Sequence, residues 1–240
     1  MDITEDGFLD SRVSVRQFAG GFRSGLDAVM LAAAVPAKPG DRVLELGSGA
    51  GVAGLCLAAR VPDCTITGVE IDPDLVSLAN TNALANGMEA RVRFVQADVL
   101  DPPPELRITF DHVLCNPPFL DDEGEVSPDM LRAQALQDSG DLSLWLESGV
   151  KRTASNGTFT MILRADRLRE ALDALPRHGV SVFPLWPRRG AVAKRALIQL
   201  RRGKRSPFAL LPGLVLHEDD GRYTAEAGAI LRAGVPLGMS

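Results

Sequence analysis

The spacing of apolar and polar positions changes period repeatedly along this chain, and each change marks an element. After a polar leader of about two dozen residues, "SGLDAVMLAAAV" (24–35) reads as a short helix ended by Pro36, and "AKPGD" as a turn. "RVLEL" (42–46) is a buried strand, "GSGAG" a loop, and "VAGLCLAAR" (52–60) an alanine- and leucine-rich helix. "CTITGVE" (64–70) is a second strand, and "PDLVSLANTNALANG" (73–87) a helix with Pro73 in its first turn and Gly87 past its end. "ARVRFVQ" (90–96) and "TFDHVLC" (109–115) are the third and fourth strands, followed by a long acidic loop to about Gly140. A helix ("LSLWLESGVKRTA"), a fifth strand ("GTFTMIL"), a helix ("DRLREALDALPR") and a strand around "VSVFPLW" continue the alternation. This is the signature of an α/β fold: a mostly parallel sheet with helices on both faces. "AKRALIQL" (193–200) follows "VSVFPLW" after too short a turn for a helical crossover, so these two close the sheet as an antiparallel hairpin. "YTAEAGAILRAG" reads as a final short helix capped by Thr224.

Composition narrows the class. With 240 residues, 45% hydrophobic content and a mean hydropathy of +0.05, the chain suits one sizeable core and hence one domain over 1–240. No apolar run approaches the roughly 18 residues that span a bilayer, and the start "MDITEDGFLD" is acidic, so a soluble, cytoplasmic protein without membrane partners is expected. Cys56, Cys64 and Cys115 lack CxxC spacing and His112, His178 and His217 are scattered, so neither a metal site nor a disulfide framework is read. Cys56 and Cys64 read as small buried hydrophobes.

In an open parallel sheet, ligands bind beyond the carboxyl ends of the strands, so the residues there are the candidates for chemistry. After the first strand comes Glu45-Leu46-Gly47-Ser48-Gly49-Ala50-Gly51. Glycines there allow a tight turn and let a ligand approach backbone N–H groups at a helix start. A dinucleotide GxGxxG would need glycine where Val52 stands; the spacing is GxGxG. With an acid two residues before the first glycine, this resembles the cofactor loop of the S-adenosylmethionine-dependent methyltransferases, whose cofactor is a cation suited to a carboxylate at Glu45. A purely structural turn and the loop of a nicotinamide-dependent oxidoreductase, or of a nucleotide-binding module without chemistry, are the other readings. Glu70, followed by Ile71, ends the second strand and can accept two hydrogen bonds from ribose hydroxyls. At the end of the third strand stands Asp98, followed by Val99; by the resemblance, the acid accepts the adenine amino group of the cofactor. Taken singly, Glu70 also reads as a solvated or capping residue.

After the fourth strand stands "NPPF", Asn116 to Phe119. Proline fixes its own φ and restricts the residue before it, so Asn116 and Pro117 are held extended. The amide oxygen of Asn116 and the carbonyl of Pro117 can then accept both hydrogens of a planar NH2 group, aiming its lone pair at a sulfonium methyl, while Phe119 stacks on the ring that bears the amine. A tight turn is the bland alternative. The motif resembles that of the amino-group methyltransferases, which act on adenine N6, on guanine N2 of ribosomal RNA, or on glutamine N5 of proteins. The glutamine enzymes usually carry tyrosine in the fourth place, so Phe119 favours a nucleobase.

Two further stretches, "QFAGGFRSGLDAVMLAA" (17–33) and "KRALIQLRRGKRSPFALLPGLVLHEDDGRYTAEA" (194–227), resemble one branch of that set. It is the bacterial enzymes that methylate N6 of the adenine beside the anticodon of a valine tRNA. The resemblance implies a Rossmann-like, seven-stranded methyltransferase fold, S-adenosylmethionine as donor with S-adenosylhomocysteine as product, and tRNA or another structured RNA as partner. It divides the chain into a cap segment (1–38), a cofactor-binding core (39–200) and a basic C-terminal extension (201–240). It also brings Asp27 near the methionine part of the cofactor, although an acid at a helix start reads equally as a cap.

Charge bears on the RNA. The net charge is -5, yet Leu185 to Arg205 holds eight basic residues and no acid: Arg188, Arg189, Lys194, Arg195, Arg201, Arg202, Lys204 and Arg205. Such a band can hold the phosphates flanking an unpaired target base, or it can be the charged edge that keeps a sheet from aggregating. Against phosphate binding stand Asp121, Asp122, Glu123, Glu125 and Asp129 directly after the clamp.

Overall fold

The computed structural model describes residues 2–20, 23–117 and 142–239. The polar leader, where the patterning announces no element, forms a β-hairpin of β1 (Ile3–Phe8) and β2 (Val13–Phe18), paired antiparallel. Its one hydrophobic stripe is short: Val13 and Val15 point into the core while Arg16 points out.

The central alternation follows as α1 (Leu26–Ala34), β3 (Arg42–Leu46), α2 (Val52–Arg60), β4 (Thr65–Glu70), α3 (Pro73–Ala85), β5 (Val92–Gln96) and β6 (Phe110–Cys115). Then come α4 (Leu142–Arg152), β7 (Thr153–Arg164), α5 (Leu168–Ala174), β8 (Val180–Arg188), β9 (Arg195–Arg201), β10 (Ala209–Leu210) and β11 (Leu214–His217). The chain closes with α6 (Ala225–Gly228), which runs into a π-helical turn, Ala229–Ala233. Local chemistry sets several boundaries. Asp72 caps α3 by accepting from the N–H groups of Asp74 (2.8 Å) and Leu75 (3.3 Å), with Pro73 in the first turn. Thr224 caps α6 through the N–H of Ala227 (3.1 Å).

The large sheet runs β10-β8-β9-β7-β6-β3-β4-β5, with β11 also on β8. Pairs among β3, β4, β5, β6 and β7 are parallel. β9 inserts antiparallel between β7 and β8, the closing hairpin that its short turn demands. The resemblance implies seven strands, but this sheet has nine, because the short β10 and β11 add themselves parallel to the outer strand β8.

Alternate residues of the strands feed two apolar layers. Val43, Ile66, Leu114, Ile162 and Leu197 pack under α1, α2 and α3. Leu44, Leu46, Val113, Cys115, Phe159 and Ile198 pack under α4 and α5.

Asn80 and Asn82 of α3 and Asn86 at its C-cap tie the layers together. Asn86 pairs its amide with the N–H (3.0 Å) and C=O (2.7 Å) of Ser14, and Asn82 does the same with Arg16 (both 2.9 Å). Asn80 treats Phe94 likewise, at 3.0 and 2.8 Å. The helix thus satisfies backbone groups of β2 and of the sheet's outer strand β5 that no neighbouring strand takes.

Candidate active site

The chain runs outward from β3 to β4 and β5, then returns to place β6 on the other side of β3, so the switch point lies between β3 and β6. Leu46 is opposite both Val69 and Cys115, and Glu70 is opposite Gln96. One residue further on, the glycine loop and Asn116 leave adjacent strands side by side, the position where α/β sheets hold ligands.

The loop is shaped by its glycines. Gly47, Gly49 and Gly51 have φ of 68°, 52° and 87°, a region that residues with a Cβ rarely adopt. The N–H groups of Gly47 and Ser48 both donate to the carbonyl of Val69, at 2.9 and 3.0 Å. Aromatic rings back the loop: a Cβ on Gly51 would come 2.6 Å from the Phe94 ring, and one on Gly47 would come 3.0 Å from Trp145. Beside Gly49, by contrast, no described atom lies within 4 Å of where a Cβ would stand, so this peptide faces open space. Ser48 is buried, and its hydroxyl has no hydrogen-bond partner among the described residues.

Two carboxylates hold this loop. Glu70 accepts from the N–H of Gly49 (2.8 Å) with one oxygen and from Ile71 (2.9 Å) and Asp72 (3.2 Å) with the other. Burial raises its pKa, against the pull of those N–H groups. Glu45 lies 4% exposed behind the loop and accepts from the N–H of Gly54 (3.0 Å) in the first turn of α2. Burial, helped by the nearby Glu70 charge, pushes Glu45 up to about 8. A Cβ at position 54 would come 2.6 Å from the Glu45 oxygen, so glycine there makes room for the buried carboxyl.

The other candidates stand around the same strand ends. Asp98 is exposed past β5 and accepts from the N–H of Leu100 (2.8 Å); Val99 is buried, its carbonyl taken by the Ser148 hydroxyl of α4 (2.7 Å). Ile71 is half-buried. Asn116 is half-buried and Pro117 buried, while Phe119 and the acidic loop from Asp121 to Asp129 lie outside the described residues. Burial, reinforced by Glu45, raises the Cys115 thiol well above its ordinary pKa, so the sulfur next to Asn116 stays protonated and is no nucleophile.

The basic band does not form one surface. β8 and β9 are antiparallel, so Arg188, Arg189 and Lys194 cluster at their turn, at the same sheet end as Asn116, since Arg195 is opposite Arg164 and Cys115 is opposite Met161. Arg201, Arg202, Lys204 and Arg205 lie at the opposite end, where Arg201 is opposite Thr158 and Thr158 is opposite His112. Two of the eight are engaged within the fold. Arg195 donates to Asp27 at 2.8 Å, and Arg202 donates to the carbonyl of Thr153.

Sequence reasoning missed Asn82. Besides gripping β2, it donates to the carbonyl of Ala50 (3.0 Å) and so anchors the glycine loop from behind. Its signal was present: "NTNALAN" sets three asparagines in a helix that asparagine does not favour, which marks side chains with work to do.

The buried unpartnered hydroxyl of Ser48, the open face at Gly49 and the acceptor-rich Glu70 fit a ligand with hydroxyl donors. Known proteins resemble this chain along most of its length. The family described as Methyltransferase small domain matches residues 23–159. The chain is 30% identical over 224 residues to the tRNA1(Val) (adenine(37)-N6)-methyltransferase of Shewanella woodyi, covering 88% of this chain and 91% of that one. It is 29% identical over 223 residues to the Aeromonas hydrophila protein of that name, covering 91% and 92%. Among solved structures, Atu636 from Agrobacterium tumefaciens, described as a predicted O-methyltransferase, superposes with a TM-score of 0.74 at 24% identity, over 88% of this chain and 98% of that one. An S-adenosylmethionine-dependent O-methyltransferase from Thermotoga maritima superposes at 0.55 and 15% identity, over 76% and 67%. At these identities the two structures speak for the fold.

Proposed function

The chain belongs to the methyltransferase small domain family, and on that premise we propose that it methylates the exocyclic N6 amino group of an adenine in tRNA. That it is an S-adenosylmethionine-dependent methyltransferase follows from the family and the fold. Adenine and tRNA are supported by relatives of similar length that carry that activity in their names. The observation that carries the reading is the pairing of Leu46 with Cys115, which sets the glycine loop and Asn116 on neighbouring strand ends.

When bound, the cofactor supplies a methyl group on a cationic sulfur. The chain's own groups bind and orient. Glu70 exchanges the N–H of Gly49 for ribose hydroxyls, Asp98 accepts from the adenine amine of the cofactor, and Ser48 gains a partner for its hydroxyl. The amide oxygen of Asn116 and the carbonyl of Pro117 would accept hydrogen bonds from the two N6 hydrogens and so orient the nitrogen lone pair towards the methyl group. The C–N bond would form as the methyl–sulfur bond breaks to leave the neutral thioether, and the surplus N6 proton would pass to water. Catalysis is by positioning and fixed dipoles. Phe119, outside the described residues, is proposed as the stacking platform. With tRNA as its substrate the protein works in the cytoplasm.

The test is methyl transfer from labelled S-adenosylmethionine to unmodified total tRNA, duplex DNA and cell protein, with mass spectrometry of the digests. N6-methyladenosine in tRNA is expected. Label on guanine N2 or on glutamine would move the substrate to another class. Asn116→Ala should lower turnover by about a hundredfold or more with cofactor affinity nearly unchanged; joint loss of both would show that Asn116 does not act on the acceptor.

A further inference from the structure

The eight cations between Leu185 and Arg205 form one run in sequence but occupy two places in the fold. Three exposed ones, Arg188, Arg189 and Lys194, stand at the β8–β9 turn, at the same sheet end as the candidate active site. Arg195 is engaged with Asp27 at that same end, and the remaining four, Arg201, Arg202, Lys204 and Arg205, stand six or more residues further along the chain, on the order of 20 Å away at the usual rise per strand residue.

At that far end the cations are gathered by the backbone rather than scattered. The N–H of Arg201 donates to the carbonyl of Gly179 (2.8 Å), the N–H of Gly179 donates to Ser206 (2.8 Å), and the N–H of Lys204 returns to Arg201 (3.3 Å). This folds the segment Arg201 to Ser206 against the start of β8 and brings the exposed Arg177 and His178 beside the exposed Arg201, Lys204 and Arg205. Two acids at this end are engaged with other groups: Asp41 accepts from His112 and the Lys38 N–H, and Asp111 from the Arg42 N–H. Arg202 is engaged with Thr153, which leaves Arg201, Lys204 and Arg205 as the charges free to meet a partner.

We infer that this far cluster is a second phosphate-binding surface for the RNA substrate, engaging a backbone segment about 20 Å from the target nucleotide. The inference rests on the RNA reading above. A surface at that distance is out of reach of the nucleotides immediately flanking a clamped base. The enzyme therefore recognises its substrate as a folded RNA with two phosphate tracks, one held at the active-site turn and one at the far end of the same hairpin.

The test compares wild type with R201E/K204E/R205E on two probes, unmodified total tRNA and a single-stranded heptaribonucleotide containing one adenine. The triple variant is expected to bind tRNA about tenfold or more weakly at low salt, and its log affinity should depend on log salt with a slope shallower by about two to three. Its methylation of the heptamer and its affinity for S-adenosylmethionine should match wild type, which also shows that the variant is folded. Unchanged tRNA affinity and salt slope, with R188E/R189E/K194E lowering both, would overturn the inference while leaving the RNA reading intact. Failure of the wild type to methylate either probe would instead overturn the RNA reading, and the second surface with it.

Discussion

Asp27 in the first turn of α1 and Arg195 at the start of β9 form an ion pair of 2.8 Å across 168 residues of sequence. The pair joins the segment before the cofactor loop to the closing hairpin, and it occupies a carboxylate assigned by resemblance to the methionine end of the cofactor. Both side chains are partly exposed, Arg195 at 34% and Asp27 at 25%, so solvent screens the attraction.

Arg195→Ala should therefore cost less than about 1 kcal/mol of unfolding free energy. Asp27→Ala should weaken S-adenosylmethionine binding by about tenfold if its carboxylate meets the ligand's ammonium group. Calorimetry on both variants separates the roles. Equal loss of affinity in the two would show that the pair acts as a unit, and no loss in either would leave Asp27 only its ion pair with Arg195, since α1 has Gly25 as its N-cap and no side-chain cap.

Asn82 is fully buried and serves three backbone groups: both of Arg16 and the carbonyl of Ala50. Replacing it with alanine leaves those groups without partners and should cost about 2–4 kcal/mol in urea denaturation. Cofactor affinity should fall as well, because the glycine loop loses its anchor. Asn86→Ala, which releases only Ser14 and a carbonyl of its own helix, should destabilise less and leave cofactor affinity alone. Undiminished cofactor binding in Asn82→Ala would uncouple the tie from the loop.

Glu45 gives stability a pH dependence of definite sign. Its native pKa of about 8 lies above the ordinary carboxyl value of 4.5, so between those values the folded protein holds a proton that the unfolded chain has released. Stability contributed by this group therefore falls as pH rises from about 5 towards 8. Glu45→Gln keeps an acceptor for the Gly54 N–H and abolishes the titration. Denaturation midpoints at pH 5.5 and 8 should differ less in Glu45→Gln than in wild type. Equal differences would assign the dependence to other groups, Glu70 first, since burial shifts it in the same direction.

The candidate site was legible wherever its chemistry depends on neighbours in sequence. Gly47, Gly49 and Gly51 adopt the positive φ that makes glycine useful, and Glu70 stands at its strand end with both oxygens turned to N–H groups. Glu45 is subtler: its place before the loop was readable, but its hydrogen bond to Gly54 and its burial depend on how α2 lies over β3. The leader hairpin was hidden because its pattern is short and polar, and its outer edge is satisfied by the amides of Asn82 and Asn86 rather than by a strand.

The linear pattern alone determined the alternation from β3 to β9, the antiparallel closing pair, the cap at Thr224, the helix start at Pro73, and the acids and glycines at the strand ends. Each of these follows from periods of two or 3.6 residues and from local backbone restraints, which act over a few residues whatever surrounds them. Tertiary structure alone decided that β6 returns beside β3, that Arg195 meets Asp27, and that one run of eight cations divides between two ends of the sheet. Strand neighbours are chosen by the burial that the whole sheet achieves, and an antiparallel turn sends residues adjacent in sequence toward opposite ends, so no local spacing encodes either outcome.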